Sequence, residues 1–108
     1  MLHRIDRRAS GSALSIGLDD ELRIELGENP TTGYRWHVDQ AGDVLEPTDS
    51  VYSRSGTGVG AGGRRTLGFR PVRAGTALLR LRLTRGEAAE GTDAADRFEL
   101  TVHVLPKE

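Results

Sequence analysis

Glu28-Asn29-Pro30-Thr31-Thr32-Gly33-Tyr34 separates two runs of alternating character. Before it, Leu22, Ile24 and Leu26 alternate with Glu21, Arg23 and Glu25; after it, Tyr34, Trp36 and Val38 alternate with Arg35, His37 and Asp39. A two-residue period belongs to half-buried β-strands, so the segment between them is an inter-strand loop. Pro30 fixes its own φ and drives Asn29 toward extended geometry, while Gly33 is free to take a positive φ ahead of the next strand. Composition alone is equally satisfied by a loop that only reverses the chain, since such a turn needs about two to five residues in no special order.

Working outward, the same period recurs. It predicts strands at residues 12–16, 21–26, 34–38, 44–52, 66–70, 76–84 and 97–105. Pro47 marks the fourth as an edge or bulged strand, because proline cannot donate to a ladder. Residues 1–11 read as a polar tail, and residues 12–108 as one domain. Seven short strands separated by turn signals fit an all-β, immunoglobulin-like sandwich of antiparallel strands. Connections one, three and five are short, at residues 17–20, 39–43 and 71–75; connections two, four and six are long, at residues 27–33, 53–63 and 85–95. In an antiparallel chain alternate connections emerge together, so the three long loops fall at one end. A binding surface on a rigid scaffold accounts for that clustering, and stability alone does not. Trp36 takes the place of the buried strand-C tryptophan of such sandwiches.

Composition narrows the function classes. The chain has no cysteine, which excludes a disulfide framework, a thiolate metal site and a cysteine nucleophile. A net charge of −1, from 15 basic and 16 acidic residues, gives no overall case for nucleic acid or membrane as partner. The N-terminus, Met1-Leu2-His3-Arg4-Ile5-Asp6-Arg7-Arg8, is charged and lacks an apolar stretch behind it. As written, a cytoplasmic chain is expected, and a periplasmic or extracellular one if a leader has been removed.

Asn29-Pro30-Thr31-Thr32-Gly33-Tyr34 followed by Trp36 resembles the signature of chagasin-type inhibitors of papain-like cysteine proteases. Val59-Gly60-Ala61-Gly62-Gly63 resembles the glycine-rich loop of that family, and Asp96-Arg97-Phe98-Glu99-Leu100-Thr101-Val102 its last strand. The resemblance covers nearly the whole chain and implies a reversible, non-covalent inhibitor whose three long loops wedge into the protease cleft, with no cofactor and no metal. It further implies that Asn29 to Tyr34 form the first contact, with Pro30, Thr31 and Thr32 over the catalytic cysteine of the target. Gly60, Ala61, Gly62 and Gly63 would then lie along the substrate cleft, with Val59 in a hydrophobic subsite. An Arg-Pro-aromatic motif is expected in the sixth connection. Arg85 supplies its arginine, whereas Gly86 and Glu87 occupy the other two positions. A buried aromatic anchor is often worth ~2 kcal/mol or more, so its absence lowers the expected affinity roughly thirtyfold. That departure keeps open a second reading, a non-inhibitory immunoglobulin-like interaction module.

Other patterns carry less. Gly58-Val59-Gly60-Ala61-Gly62-Gly63 fits G-x-G-x-x-G in form, but strand rather than helix is predicted after it, which removes the phosphate-binding geometry. His3, His37 and His103 are too scattered for a metal site. No serine stands in a nucleophile elbow, so nothing points to an enzyme. Residues 64–85 hold seven arginines and no acid. A solvated face paired with acids from neighbouring strands is the expectation there, with a nucleic-acid surface as the alternative. A monomer is expected, with dimerisation through the edge strand at residues 44–52 left open.

Overall fold

Alternation turns into burial on one side of each strand. A computed structural model of the chain describes residues 1–54, 62–85 and 95–106. It contains β1 (Leu2–Asp6), β2 (Ser12–Gly17), β3 (Glu21–Glu28), β4 (Tyr34–Gln40), β5 (Leu45–Arg54), β6 (Gly63–Pro71), β7 (Gly75–Arg85) and β8 (Asp96–Leu105). These make two four-stranded sheets, ordered β1-β3-β6-β5 and β2-β8-β7-β4. Leu22, Ile24 and Leu26 of β3 and Leu67 and Phe69 of β6 face Leu79 and Leu81 of β7 and Phe98, Leu100 and Val102 of β8 across one apolar core. Full burial of such side chains contributes roughly 1.5–3 kcal/mol each, and in a chain without cysteine this core is what holds the sandwich together.

Two features differ from the sequence expectation. Residues 2–6, read as part of a polar tail, form β1, so the described residues make eight strands rather than seven. The pairing of β1 with β3 is parallel, as is that of β2 with β8; the other pairings are antiparallel. The short turn Arg7–Ala9 carries the chain from one sheet to the other, with the Asp6 carboxylate accepting the Arg8 N–H at 2.9 Å. The alternation of β1 is too brief to read. Ile5 packs against the core, while Arg4 and Leu2 are exposed, and charge on an edge strand discourages further pairing.

The opposite edge of that sheet is β5, as Pro47 suggested. Its register against β6 shifts between Pro47 and Asp49, a bulge that takes up the missing donor. At its far end β5 lies so close to Gly63 that a Cβ there would sit 2.3 Å from the Ser53 carbonyl oxygen and 2.3 Å from the Tyr52 hydroxyl. A ladder carbonyl cannot swing aside as a side chain does. Gly63→Ala is therefore expected to destabilise the fold by about 1–3 kcal/mol, read as a lowered urea midpoint with unchanged slope. A midpoint equal to that of the parent would contradict this close approach.

Candidate functional site

The register fixes where the connections leave. Glu28 pairs with Gly63, and Gly63 with Arg54, at one end of the first sheet. In the second sheet Tyr34 pairs with Arg85, and Leu83 with Asp96. The first connection joins these two ends, running from Glu28 of the first sheet to Tyr34 of the second, and a Cβ built on Gly33 at its exit would lie 3.5 Å from the Arg85 Nε. Connections two, four and six thus emerge together, as the loop lengths predicted.

Asn29 organises the first connection. Its Oδ1 accepts the Thr31 N–H at 3.1 Å and the Thr31 hydroxyl at 2.7 Å, and its carbonyl oxygen accepts the Thr32 N–H at 3.1 Å and the Thr32 hydroxyl at 2.7 Å. Residues Pro30–Thr32 form a 3₁₀ turn, and Gly33 closes it at φ +80°. The Thr32 Oγ1 then accepts the Tyr34 N–H at 3.3 Å, leading into β4. An Asx-type turn of this kind satisfies the loop's polar groups internally and leaves Thr31 and Thr32 exposed at its tip.

Beneath the loop lies an arrangement that the sequence reading missed. Glu28 is buried, and its Oε1 accepts the Trp36 N–H at 2.8 Å. The Arg65 Nε donates to both carboxylate oxygens of Glu28 at 2.9 Å. Arg65 also donates through Nη1 to the Ser50 hydroxyl at 2.9 Å, and its guanidinium lies 5.9 Å from the centre of the Tyr52 ring. The Trp36 indole, buried as expected, donates to the Gly27 carbonyl at 2.9 Å. A signal for the pair was present in the sequence. Glu28 continues the inward series Leu22, Ile24, Leu26, and Arg65 precedes Leu67 and Phe69 in theirs, so both charges stand at core-facing parity.

Of the other expected contact residues, Gly62 lies against the first loop, where a Cβ would come within 3.8 Å of the Asn29 Cβ. Gly63 opens β6, and Arg85 ends β7 with its side chain exposed. Val59, Gly60 and Ala61 lie outside the described residues, as do Gly86 and Glu87. Between the first loop and β6 is a shallow concavity of about 480 Å³, lined by Gly27, Glu28, Asn29, Thr32, Tyr34, Gly62, Gly63 and Leu83. Its lining is backbone, small side chains, Leu83 and the Tyr34 ring, with the Glu28 carboxylate already engaged by Trp36 and Arg65, which suits close approach of another protein.

The arginine-rich stretch follows the solvated-face expectation. Arg64 pairs with Glu25 at 3.2 Å, Arg73 with Asp43 at 3.1 Å, Arg80 with Glu99 at 3.6 Å and Arg82 with Asp39 at 3.3 Å, and Arg70 pairs with Glu46. Cations already matched with carboxylates form a poor track for phosphates. His3 contacts Asp20 at 2.8 Å and His103 contacts Thr76 at 3.0 Å; no group of three or more potential metal ligands occurs among the described residues.

His37 is the third histidine. Burial, assisted by the Arg35 guanidinium, holds its imidazole below the ordinary value, and its Nε2 has no hydrogen-bond partner among the described residues. A folded-state value below the unfolded one, about 6.5, means that the unfolded chain takes up the proton first. Its contribution to stability is therefore complete above that pH and is lost as pH falls below it. Urea midpoints are expected to drop between pH 7.5 and 5.5, and His37→Gln should flatten that slope. Identical slopes for the two proteins would contradict the assignment.

With three connections gathered at one end and the first braced by Asn29, comparison with known proteins becomes decisive. The model of the chagasin family peptidase inhibitor I42 matches residues 15–102. This chain belongs to the chagasin family. Membership places it among peptidase inhibitors rather than enzymes. Chagasin of Trypanosoma cruzi is 28% identical over 53 residues, which cover 49% of this chain and 47% of chagasin; the match thus spans about half the length of that relative. Amoebiasin-2 of Entamoeba histolytica is 25% identical over 87 residues, 78% of this chain and 71% of that protein. The crystal structure of a cysteine protease inhibitor from Entamoeba histolytica superimposes with a TM-score of 0.84, at 21% identity over 96% of each chain, and so shares the fold. That eight-stranded, two-sheet architecture is the immunoglobulin-like sandwich expected from the sequence.

Proposed function

We propose that this chagasin-family chain is a reversible, non-covalent inhibitor directed at the active site of papain-like cysteine proteases. The observation that carries the proposal is the emergence of connections two, four and six from one end of a rigid sandwich, with the first connection closed on itself by Asn29. Binding without chemistry depends on loops that are ordered beforehand, because ordering them on contact costs affinity. In this reading Pro30, Thr31 and Thr32 cover the catalytic cysteine of the target, and Tyr34 and Gly33 hold the loop's exit. Val59, Gly60, Ala61, Gly62 and Gly63 run along the substrate cleft, and Arg85 braces the opposite wall. A footprint of about 800 Å² per partner is expected. The inhibitor acts as a monomer, since Pro47 and the bulge beside it spoil β5 as a template for a second copy.

The absence of a Pro-aromatic pair after Arg85 favours one alternative, a sandwich that binds another protein and no longer inhibits. Papain with an open cleft and papain whose cleft is filled by a covalent peptidyl inhibitor separate the two. The proposal expects a complex by gel filtration with the open enzyme and none with the filled one. Equal binding to both forms would contradict an active-site-directed mode.

A further inference from the structure

Buried ion pairs seldom explain stability. Removing two charges from water costs about as much as their attraction returns, and a well-packed apolar pair often does as well. Such a pair does fix geometry, because a planar guanidinium gripping a carboxylate through directed hydrogen bonds allows few arrangements. The Glu28 and Arg65 side chains are 2% and 15% exposed, at the end of the sandwich that carries the loops.

We infer that Glu28 and Arg65 are positioning residues that set the first binding loop and the two flanking ends of the second long connection in one fixed relation. The inference deepens the inhibitory reading and rests on it. Glu28 is the last residue of β3, immediately before the first loop, and its carboxylate accepts the N–H of Trp36 on β4, beyond that loop's exit. One side chain therefore spans both ends of the first loop. Arg65 lies two residues into β6, where the chain returns from the second long connection. Its hydrogen bond to Ser50 and its stacking over Tyr52 reach β5, the strand that leads into that connection. Entry and exit of both loops thus meet at one ion pair. Where Glu28 and Arg65 hold, Asn29 and Gly62 are kept side by side, close enough that a Cβ built on Gly62 would lie 3.8 Å from the Asn29 Cβ.

The test uses Glu28→Gln, which leaves the pair half broken, and the double variant Glu28→Gln/Arg65→Met. In the double variant the glutamine oxygen still accepts from Trp36, and no guanidinium is left without its carboxylate. Stability of the double variant is expected to recover toward that of the parent, while loop placement does not. Two readouts are taken well below the melting temperature, where a merely structural role would change neither. Amide hydrogen exchange at Thr32 and Tyr34 should accelerate at least about tenfold in both variants, the order of the cost of freeing one or two residues. The inhibition constant against papain should rise by a similar factor in both. Parental exchange rates at Thr32 and Tyr34, or parental inhibition by the double variant, would overturn the inference. If the parent chain itself fails to inhibit papain, the inhibitory reading falls, and the exchange rates alone decide the positioning role.

Discussion

Replacing Thr31 and Thr32 together by alanine is expected to raise the inhibition constant against papain by at least roughly thirtyfold, with little change in stability. Both side chains are exposed at the tip of the first loop, so the core does not feel their loss. Their hydroxyls make the internal hydrogen bonds that close the turn: Thr31 to the Asn29 Oδ1, Thr32 to the Asn29 carbonyl, and Thr32 again as acceptor from the Tyr34 N–H. These bonds are exposed to water, so their loss costs the fold little, but a loosened turn must be ordered on binding at about 1–2 kcal/mol per residue, and about 2 kcal/mol corresponds to thirtyfold. The substitutions also strip the tip that is proposed to cover the catalytic cysteine. A steady-state titration with a peptide substrate measures the first effect and thermal unfolding the second. Parental inhibition by the double alanine variant would mean that the first loop is not the contact.

Trp36→Ala should produce the largest loss of stability. The indole is 4% exposed, within the core cluster, and donates to the Gly27 carbonyl just below the first loop. Truncating a buried tryptophan typically costs about 3–5 kcal/mol, a large share of the ~5–15 kcal/mol by which domains of this size are folded. For a chain of about a hundred residues that is a drop in melting temperature of more than about 12 °C. Trp36→Phe keeps most of the burial and deprives the Gly27 carbonyl of its partner, so a smaller cost of about 1–3 kcal/mol is expected. Calorimetry on the two variants separates packing from the hydrogen bond. A loss below about 1 kcal/mol in the alanine variant would contradict the core role of Trp36.

The parts of the fold that the sequence made legible are those where one strand face meets the core. Leu22, Ile24 and Leu26 of β3, or Leu79 and Leu81 of β7, are fully buried, and their alternation with charged neighbours was plain. β1 lay hidden because Ile5 is its one residue packed on the core and the strand is held by pairing with β3. β5 shows the same limit from the other side. Eight of its ten residues are exposed, since it runs along an open edge, so its alternation says little about burial, and it was Pro47 that marked it as an edge. In the site, the need for a positive φ at Gly33 followed from chemistry that belongs to that residue alone. The Glu28–Arg65 pair required reading two charges at apolar parity on strands far apart in sequence, and nothing local linked position 28 to position 65. Loop length and parity of connection, by contrast, placed the three long loops at one end before any register was known.

The most direct measurement is a titration of papain with the purified chain, followed with a peptide substrate at several concentrations. The account predicts reversible inhibition in the nanomolar range, competitive with substrate and approaching one inhibitor per enzyme, despite Gly86 and Glu87 in place of the proline and aromatic residue. Full protease activity at inhibitor concentrations on the order of tens of micromolar, corresponding to weaker than about −6 kcal/mol of binding, would contradict it.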